Sequence, residues 1–183
     1  VDGHGCFAPL AQAVGLPALT EATAKIGIAA LSLVGVHHFA ALWPETEYLA
    51  DRGFVGIACT AYMPSVAPAG SNEALFGTNP LSFAWPRPGH NPVVYDMATA
   101  SMAMGDVQIA ARDGREVPLG TGLDANGQLT TDPAEIAKGV LLPFGGYKGS
   151  AIAMMVELLA AGMTGEQFSF EARDTDNKDG GPP

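Results

Sequence analysis

Apolar and polar positions divide the chain into short strands and helices separated by loops rich in Gly and Pro. In residues 9–27, Leu10, Ala13, Val14, Leu19, Ala22 and Ile26 recur at near-helical spacing, and Gly15-Leu16-Pro17 predicts a break into two helical pieces. Residues 28–34 are a continuous apolar run of the buried-strand type. A short helix is expected over residues 44–52, with Glu45 and Glu47 near its positive end and Gly53 as its stop. Strands follow at residues 54–60, 81–85 and 92–95, the last two joined through a turn at residues 86–91. Between them, residues 62–79 form a long Pro/Gly/Ser/Asn loop, and loops of that length in compact domains commonly carry function.

The strand at residues 93–95 runs into the stretch around which the chain is organised, residues 96–112. Small hydroxyl residues there, Thr99 and Ser101, can cap a helix that Asp113-Gly114 ends. Asp106 stands among apolar neighbours in that helix. Burial raises the pKa of a carboxylate and is costly without a partner, so Asp106 is either paired structurally or held for chemistry. Farther on, Asp124-Ala125-Asn126-Gly127 predicts a hairpin tip, and Asp132-Pro133 the N-cap and first turn of a short helix. Gly145-Gly146-Tyr147-Lys148-Gly149 then leads into an apolar helix. Glycines admit close approach of a ligand, and a helix start with a Lys suits a phosphate; a plain helix-starting turn is the other reading. The spacing is not that of a Walker A loop, GxxxxGK(S/T). The helix is apolar nearly all round and is expected to be buried, with Glu157 as a paired structural carboxylate.

Composition narrows the function classes. The chain has 183 residues, 48% hydrophobic and 15% charged, which suits one folded domain with a sizeable core. A net charge of -10 with nine Lys and Arg argues against a nucleic-acid or anionic-membrane partner and favours small molecules or proteins. Cys6 and Cys59 are far apart, which fits a reducing compartment such as the cytoplasm. The longest apolar run, residues 152–163, is broken by Glu157 and Gly162 and is too short to span a membrane. No metal is expected, because His37 and His38 find no third ligand at recognisable spacing in His4 or His90. Gly3-His4-Gly5-Cys6-Phe7-Ala8 spells a dinucleotide fingerprint but lacks the preceding strand, so a loop is expected. Thr78 and Asn79 offer neutral groups to a carboxylate or amide, or simply make a turn. The start without Met and the Gly-Gly-Pro-Pro end suggest a piece of a longer protein, with residues 171–183 a mobile acidic Gly/Pro end or loop.

Taken in order, residues 35–42, 75–80, 96–112 and 141–161 resemble the malate/L-lactate dehydrogenase-like family of NAD(P)-dependent oxidoreductases. The run Met104-Gly105-Asp106-Val107-Gln108-Ile109-Ala110-Ala111-Arg112 is most similar to the imine-reducing branch, the Δ1-piperideine-2-carboxylate/Δ1-pyrroline-2-carboxylate reductases. The hydroxy-acid dehydrogenases of the family usually carry Lys where this chain has Asp106, and His37-His38-Phe39-Ala40-Ala41-Leu42-Trp43-Pro44 points the same way. The resemblance implies an α/β fold of the α+β kind: a largely antiparallel or mixed sheet flanked by helices, in a non-Rossmann NAD(P)-binding domain over residues 1–170. It implies a homodimeric enzyme that uses NADPH, with NADH as the alternative, to reduce a small cyclic imino acid. His38, Phe39, Ala40, Ala41, Leu42, Asp96, Met97, Ala98, Tyr147 and Lys148 would touch the cofactor. Thr78, Met104 and Gly105 would meet the substrate, although the branch often has His at the place of Met104. Asp106 would be catalytic, in a charge relay whose Ser and His lie in another segment together with a substrate-binding Arg. Lys148 and Arg112 are the candidate cations for a 2′-phosphate. Two rivals stand beside this reading: a 2-hydroxy-acid dehydrogenase of the same family, and a non-catalytic ligand-binding or dimerisation unit.

Overall fold

The computed structural model describes residues 1–37 and 39–172. Its first half contains β1 (Asp2–Phe7), α1 (Ala8–Ile26), β2 (Val34–His37), α2 (Trp43–Ala50), β3 (Gly56–Cys59), β4 (Leu81–Arg87) and β5 (His90–Met97). The second half contains α3 (Met104–Arg112), β6 (Gly122–Leu123), β7 (Leu129–Thr130), α4 (Pro133–Ile136), β8 (Val140–Leu141) and α5 (Tyr147–Glu157). A π-helical segment, Leu158–Gly162, follows α5 directly, and α6 (Ser169–Ala172) comes last. Glu171 and Ala172 thus belong to a helix, and residues 173–183 of the expected acidic end lie outside the described residues. Instead of a single sheet the described residues form three small ones: a parallel pair β1-β2, and the antiparallel sheets β3-β4-β5 and β7-β6-β8. Among the described residues, no helix is long and apolar enough to cross a membrane.

The N-terminal part departs most from the pattern reading. Helix α1 is continuous through Pro17, where a break was expected. Gly15 is there for contact: a Cβ at that position would lie 2.7 Å from Leu31 Cδ2. The strand expected at residues 28–34 comes later, as β2, because its partner is β1, a segment expected to be a loop. Gly3 lets β2 approach, since a Cβ there would lie 2.3 Å from Val36 Cγ1. Gly5, at φ 77°, sits in the register shift between Asp2 and Cys6. Both glycines therefore serve strand pairing, which a lettered motif cannot distinguish from a nucleotide turn.

Local signals fared better. Asp124 Oδ1 accepts the N–H groups of Asn126 and Gln128, each at 2.8 Å, and closes the β6-β7 hairpin. Asp132 Oδ1 accepts the Ala134 N–H at 2.9 Å as N-cap of α4. The β4-β5 hairpin is longer than expected and turns tightly at Pro88-Gly89, with Gly89 at φ 74°. The main core joins Val66, Phe76, Val107, Ala110, Ile136, Leu141 and Ala153, drawing α3, α4, β8 and α5 together. Each large side chain buried there contributes roughly 1.5–3 kcal/mol. Helix α5 buries Gly149, Ala153, Val156 and Glu157, while Met154 and Met155 stay 52% and 41% exposed, contrary to the expectation of a fully buried helix. Being apolar on every side does not bury a helix that has neighbours on only one.

Candidate active site

The end of β5 is a junction for all four stretches of the resemblance. Asp96 Oδ2 accepts the N–H of Leu42 at 2.7 Å and of Trp43 at 2.9 Å, so a residue 54 positions away caps α2. Two residues beyond Met97, the Thr99 N–H and Oγ1 both donate to the Thr78 carbonyl, at 2.8 and 2.9 Å. Phe144 N–H donates to the Thr99 carbonyl at 3.0 Å, and Ser101 N–H to the Leu142 carbonyl at 2.8 Å. A Cβ on Gly149 would lie 2.4 Å from the Phe144 carbonyl oxygen and 2.9 Å from that of Thr99, so the first turn of α5 is pressed onto the junction. Thr99 and Ser101 are spent on these long-range bonds, Ser101 Oγ on the Thr121 carbonyl. Neither caps α3, which begins after Ala103 without a side-chain cap.

Beside the junction lies a cavity of about 280 Å³, lined among others by Phe39, Tyr62, Thr78, Ala161, Glu166 and Ser169. Phe39 and Thr78 thus share one space. Ala40 is exposed, Ala41 half-buried and Leu42 buried; His38 lies outside the described residues. Met97 is exposed, and Ala98 packs half-buried against the main core.

Asp106 is not buried among apolar neighbours. It is exposed in the first turn of α3, because the helical period turns Val107 and Ala110 inward and leaves Asp106 facing out. Gly105 is exposed beside it, and Met104 is half-buried against the main core. Among the described residues, none donates a hydrogen bond to the Asp106 carboxylate. The premise of a desolvated carboxylate therefore fails at Asp106, and its role rests on the resemblance.

Among the described residues the buried carboxylates are Glu157 and Glu45. Glu157 is paired, as expected: it accepts Asn79 Nδ2 at 2.8 Å, the Ser169 N–H at 3.0 Å and the Ser169 hydroxyl. Asn79 is fully buried, adopts φ 40°, and also donates to the Ala153 carbonyl at 3.1 Å. It is therefore a buried tie through its amide nitrogen, while its Oδ1 has no partner among the described residues. Glu45 accepts Gln12 Nε2 at 2.6 Å through Oε1, while its Oε2 has no partner among the described residues. Burial pushes its carboxyl pKa up, and the nearby charge of Asp96 adds to this. Helical position alone makes Glu45 look like a solvated first-turn charge; the packing of α2 against α1, β4 and β5 removes it from water. The Glu157–Asn79–Ser169 cluster spans 90 positions of sequence, and only the polar Ser169 between Phe168 and Phe170 hinted at it.

The start of α5 suits a phosphate better than the start of α2. The first amides of α2 are taken by Asp96, whereas α5 has no side-chain cap and is preceded by Gly145 and Gly146 at φ 56° and 63°. Although its Lys148 and Gly149 amides donate to the Gly145 and Phe144 carbonyls at 3.4 and 3.0 Å, α5 keeps the Tyr147 amide and a lysine for a phosphate. Tyr147 and Lys148 are exposed there, and Lys148 has no ion-pair partner among the described residues. Arg112 instead pairs with Asp113 at 3.0 Å. No group of three or more His, Cys, Asp or Glu that could hold a metal occurs among the described residues.

This chain matches the family model of malate/L-lactate dehydrogenase over residues 1–183. It is 53% identical over 172 residues to the Δ1-pyrroline-2-carboxylate/Δ1-piperideine-2-carboxylate reductase of Pseudomonas putida, covering 93% of this chain and 50% of that protein. The crystal structure of Δ1-piperideine-2-carboxylate reductase from Pseudomonas syringae pv. tomato superposes with a TM-score of 0.91 at 46% identity, covering 98% of this chain and 57% of that one. Malate dehydrogenase from Entamoeba histolytica superposes nearly as well, with a TM-score of 0.90 at 25% identity, over 98% of this chain and 53% of that one. The chain spans about half the length of the curated relatives it matches. On the family model and these identities, the chain belongs to the malate/L-lactate dehydrogenase family of oxidoreductases.

Proposed function

We propose that the complete protein reduces cyclic imino-carboxylates with NADPH, turning Δ1-piperideine-2-carboxylate into L-pipecolate and Δ1-pyrroline-2-carboxylate into L-proline. The observation that carries this reading is the shared cavity: Phe39, assigned to the cofactor, and Thr78, assigned to the substrate, line one space beside the junction at the end of β5. The choice within the family follows the sequence. Two solved relatives share the backbone about equally, yet the imine reductase is 46% identical and the malate dehydrogenase 25%.

The residues present fit a dinucleotide. The Tyr147 amide and the Lys148 ammonium, both residues being exposed at the start of α5, would hold a phosphate, and Phe39 to Leu42 with Asp96 to Ala98 would flank the remainder. Asp96 keeps Oδ1 outside the α2 cap and so has an acceptor left for a ribose hydroxyl. The antiparallel β3-β4-β5 sheet supports a cofactor domain other than a Rossmann one, which is built on parallel strands. When bound, NADPH supplies the hydride. Thr78 helps to orient the substrate carboxylate through its hydroxyl, alongside Met104 and Gly105. The amine formed from a C=N bond needs a proton, and Asp106 orients and charges the His that delivers it, a residue supplied by another part of the complete protein. Exposure of Asp106 on the outer face of α3 leaves its carboxylate accessible to such a segment. The active form is a homodimer in this reading. A substrate panel on the complete protein tests it: turnover of the cyclic imines with NADPH is expected, and turnover of pyruvate or oxaloacetate alone would favour the 2-hydroxy-acid dehydrogenase.

A further inference from the structure

The Glu157 carboxylate holds together two walls of the cavity that come from distant parts of the chain. One donor, Asn79, directly follows Thr78; the other, Ser169, itself lines the cavity. A buried carboxylate that only filled space would be a poor choice, because well-packed apolar side chains are commonly as stabilising; its advantage is that it selects one arrangement of its donors. Three features show how closely that arrangement is specified. Asn79 sits at φ 40°, in the left-handed region, and loses rotational freedom to two hydrogen bonds, to Glu157 and to the Ala153 carbonyl. Gly77 has no room for a side chain, since a Cβ would lie 2.5 Å from the Tyr62 carbonyl oxygen and 2.8 Å from Asn79 Oδ1. The helix changes to π-helical winding immediately after Glu157, and this segment contributes Ala160 and Ala161 to the cavity wall. Such π turns are rare and gather at functional sites.

Thr78 is therefore gripped from both sides. Its carbonyl takes two bonds from Thr99, and the next residue is tied to Glu157. We propose that Glu157 is a positioning residue for the substrate, acting through Asn79 to set Thr78 in the cavity wall. The proposal rests on the reading of Thr78 as a substrate contact. Two variants attack the tie from its two ends. Glu157→Gln turns one of the two acceptor oxygens into an N–H donor, so that Asn79 Nδ2 or the Ser169 N–H faces a donor, and Asn79→Gly removes the side chain while keeping the left-handed backbone available.

The experiment measures kcat, the KM for the imine and the KM for NADPH in the complete protein, for each variant alone and combined with Thr78→Val. Each single variant is expected to raise the imine KM about tenfold and to leave the NADPH KM within about twofold. In the Thr78→Val background neither should raise the imine KM further, because the effect runs through Thr78. Effects that multiply in the combined variants, or KM values for both ligands that rise together, would overturn the positioning role and leave the imine reductase intact. A wild-type protein that reduces no cyclic imine would overturn the functional reading, and this proposal with it. Should Glu157→Gln not fold, Asn79→Gly decides by the same measurements.

Discussion

Asp106 and Glu157 are carboxylates on two helices, α3 and α5, that pack on the same core, yet they occupy opposite environments. Glu157 is 4% exposed and surrounded by three donors from Asn79 and Ser169. Asp106 is exposed, and no described residue donates to it. The difference separates two uses of the same functional group. A buried carboxylate in low dielectric must be satisfied, and once satisfied it fixes the groups around it. An exposed carboxylate with nothing to hold is free to engage a group that another segment brings.

The contrast can be broken at either end. Asp106→Asn in the complete protein is expected to reduce turnover by about a hundredfold or more. NADPH affinity should be unchanged by fluorescence titration, and stability should shift by no more than about 0.5 kcal/mol, as for other surface positions. Unchanged turnover would sink the relay role. Glu157→Ala should do the reverse to stability, costing about 3 kcal/mol in urea unfolding, because it strands the buried donors of Asn79 and Ser169. A loss below about 1 kcal/mol would mean that water replaces the carboxylate easily.

A smaller effect is expected at the α2 cap. Asp96→Ala removes the acceptor for Leu42 and Trp43 and should cost about 1–2 kcal/mol, with Asp96→Asn recovering most of it. Equal losses in both variants would show that charge, not the cap, matters there.

The smallest effect concerns Glu45, which is buried like Glu157 but half-satisfied. Its folded pKa is raised, chiefly by burial, so the folded chain holds this proton more tightly than the unfolded one. Its contribution to stability is present below the ordinary glutamate range and is lost as pH rises through the raised value. Glu45→Gln should lack this slope in unfolding measured against pH. A variant with the wild-type slope would assign the dependence to other groups.

How far the sequence could be read depended on the distance over which each signal acts. The Asp124 hairpin tip and the Asp132 cap close within four residues, and both were legible. Gly15, Gly3 and Gly5 were misread as a break and a loop because their partners, Leu31 and the β2 strand, lie elsewhere in the chain. Among the candidate site residues, Phe39 and Thr78 meet at a cavity and Asp96 joins Leu42, while Asp106 stands apart from the burial once expected of it. Glu157 was legible as a paired carboxylate, but its partners were not.

The sequence by itself determined the family, through motifs whose order and residue types survive without any geometry, and it determined the local turns and caps, whose donors and acceptors are chain neighbours. Only the tertiary structure decided which carboxylates are buried, which helix start a distant carboxylate caps, and that residues 42, 78, 96, 99, 144 and 149 converge. Burial and long-range hydrogen bonding depend on what packs against an element from afar, and helical or strand periodicity is nearly silent about that.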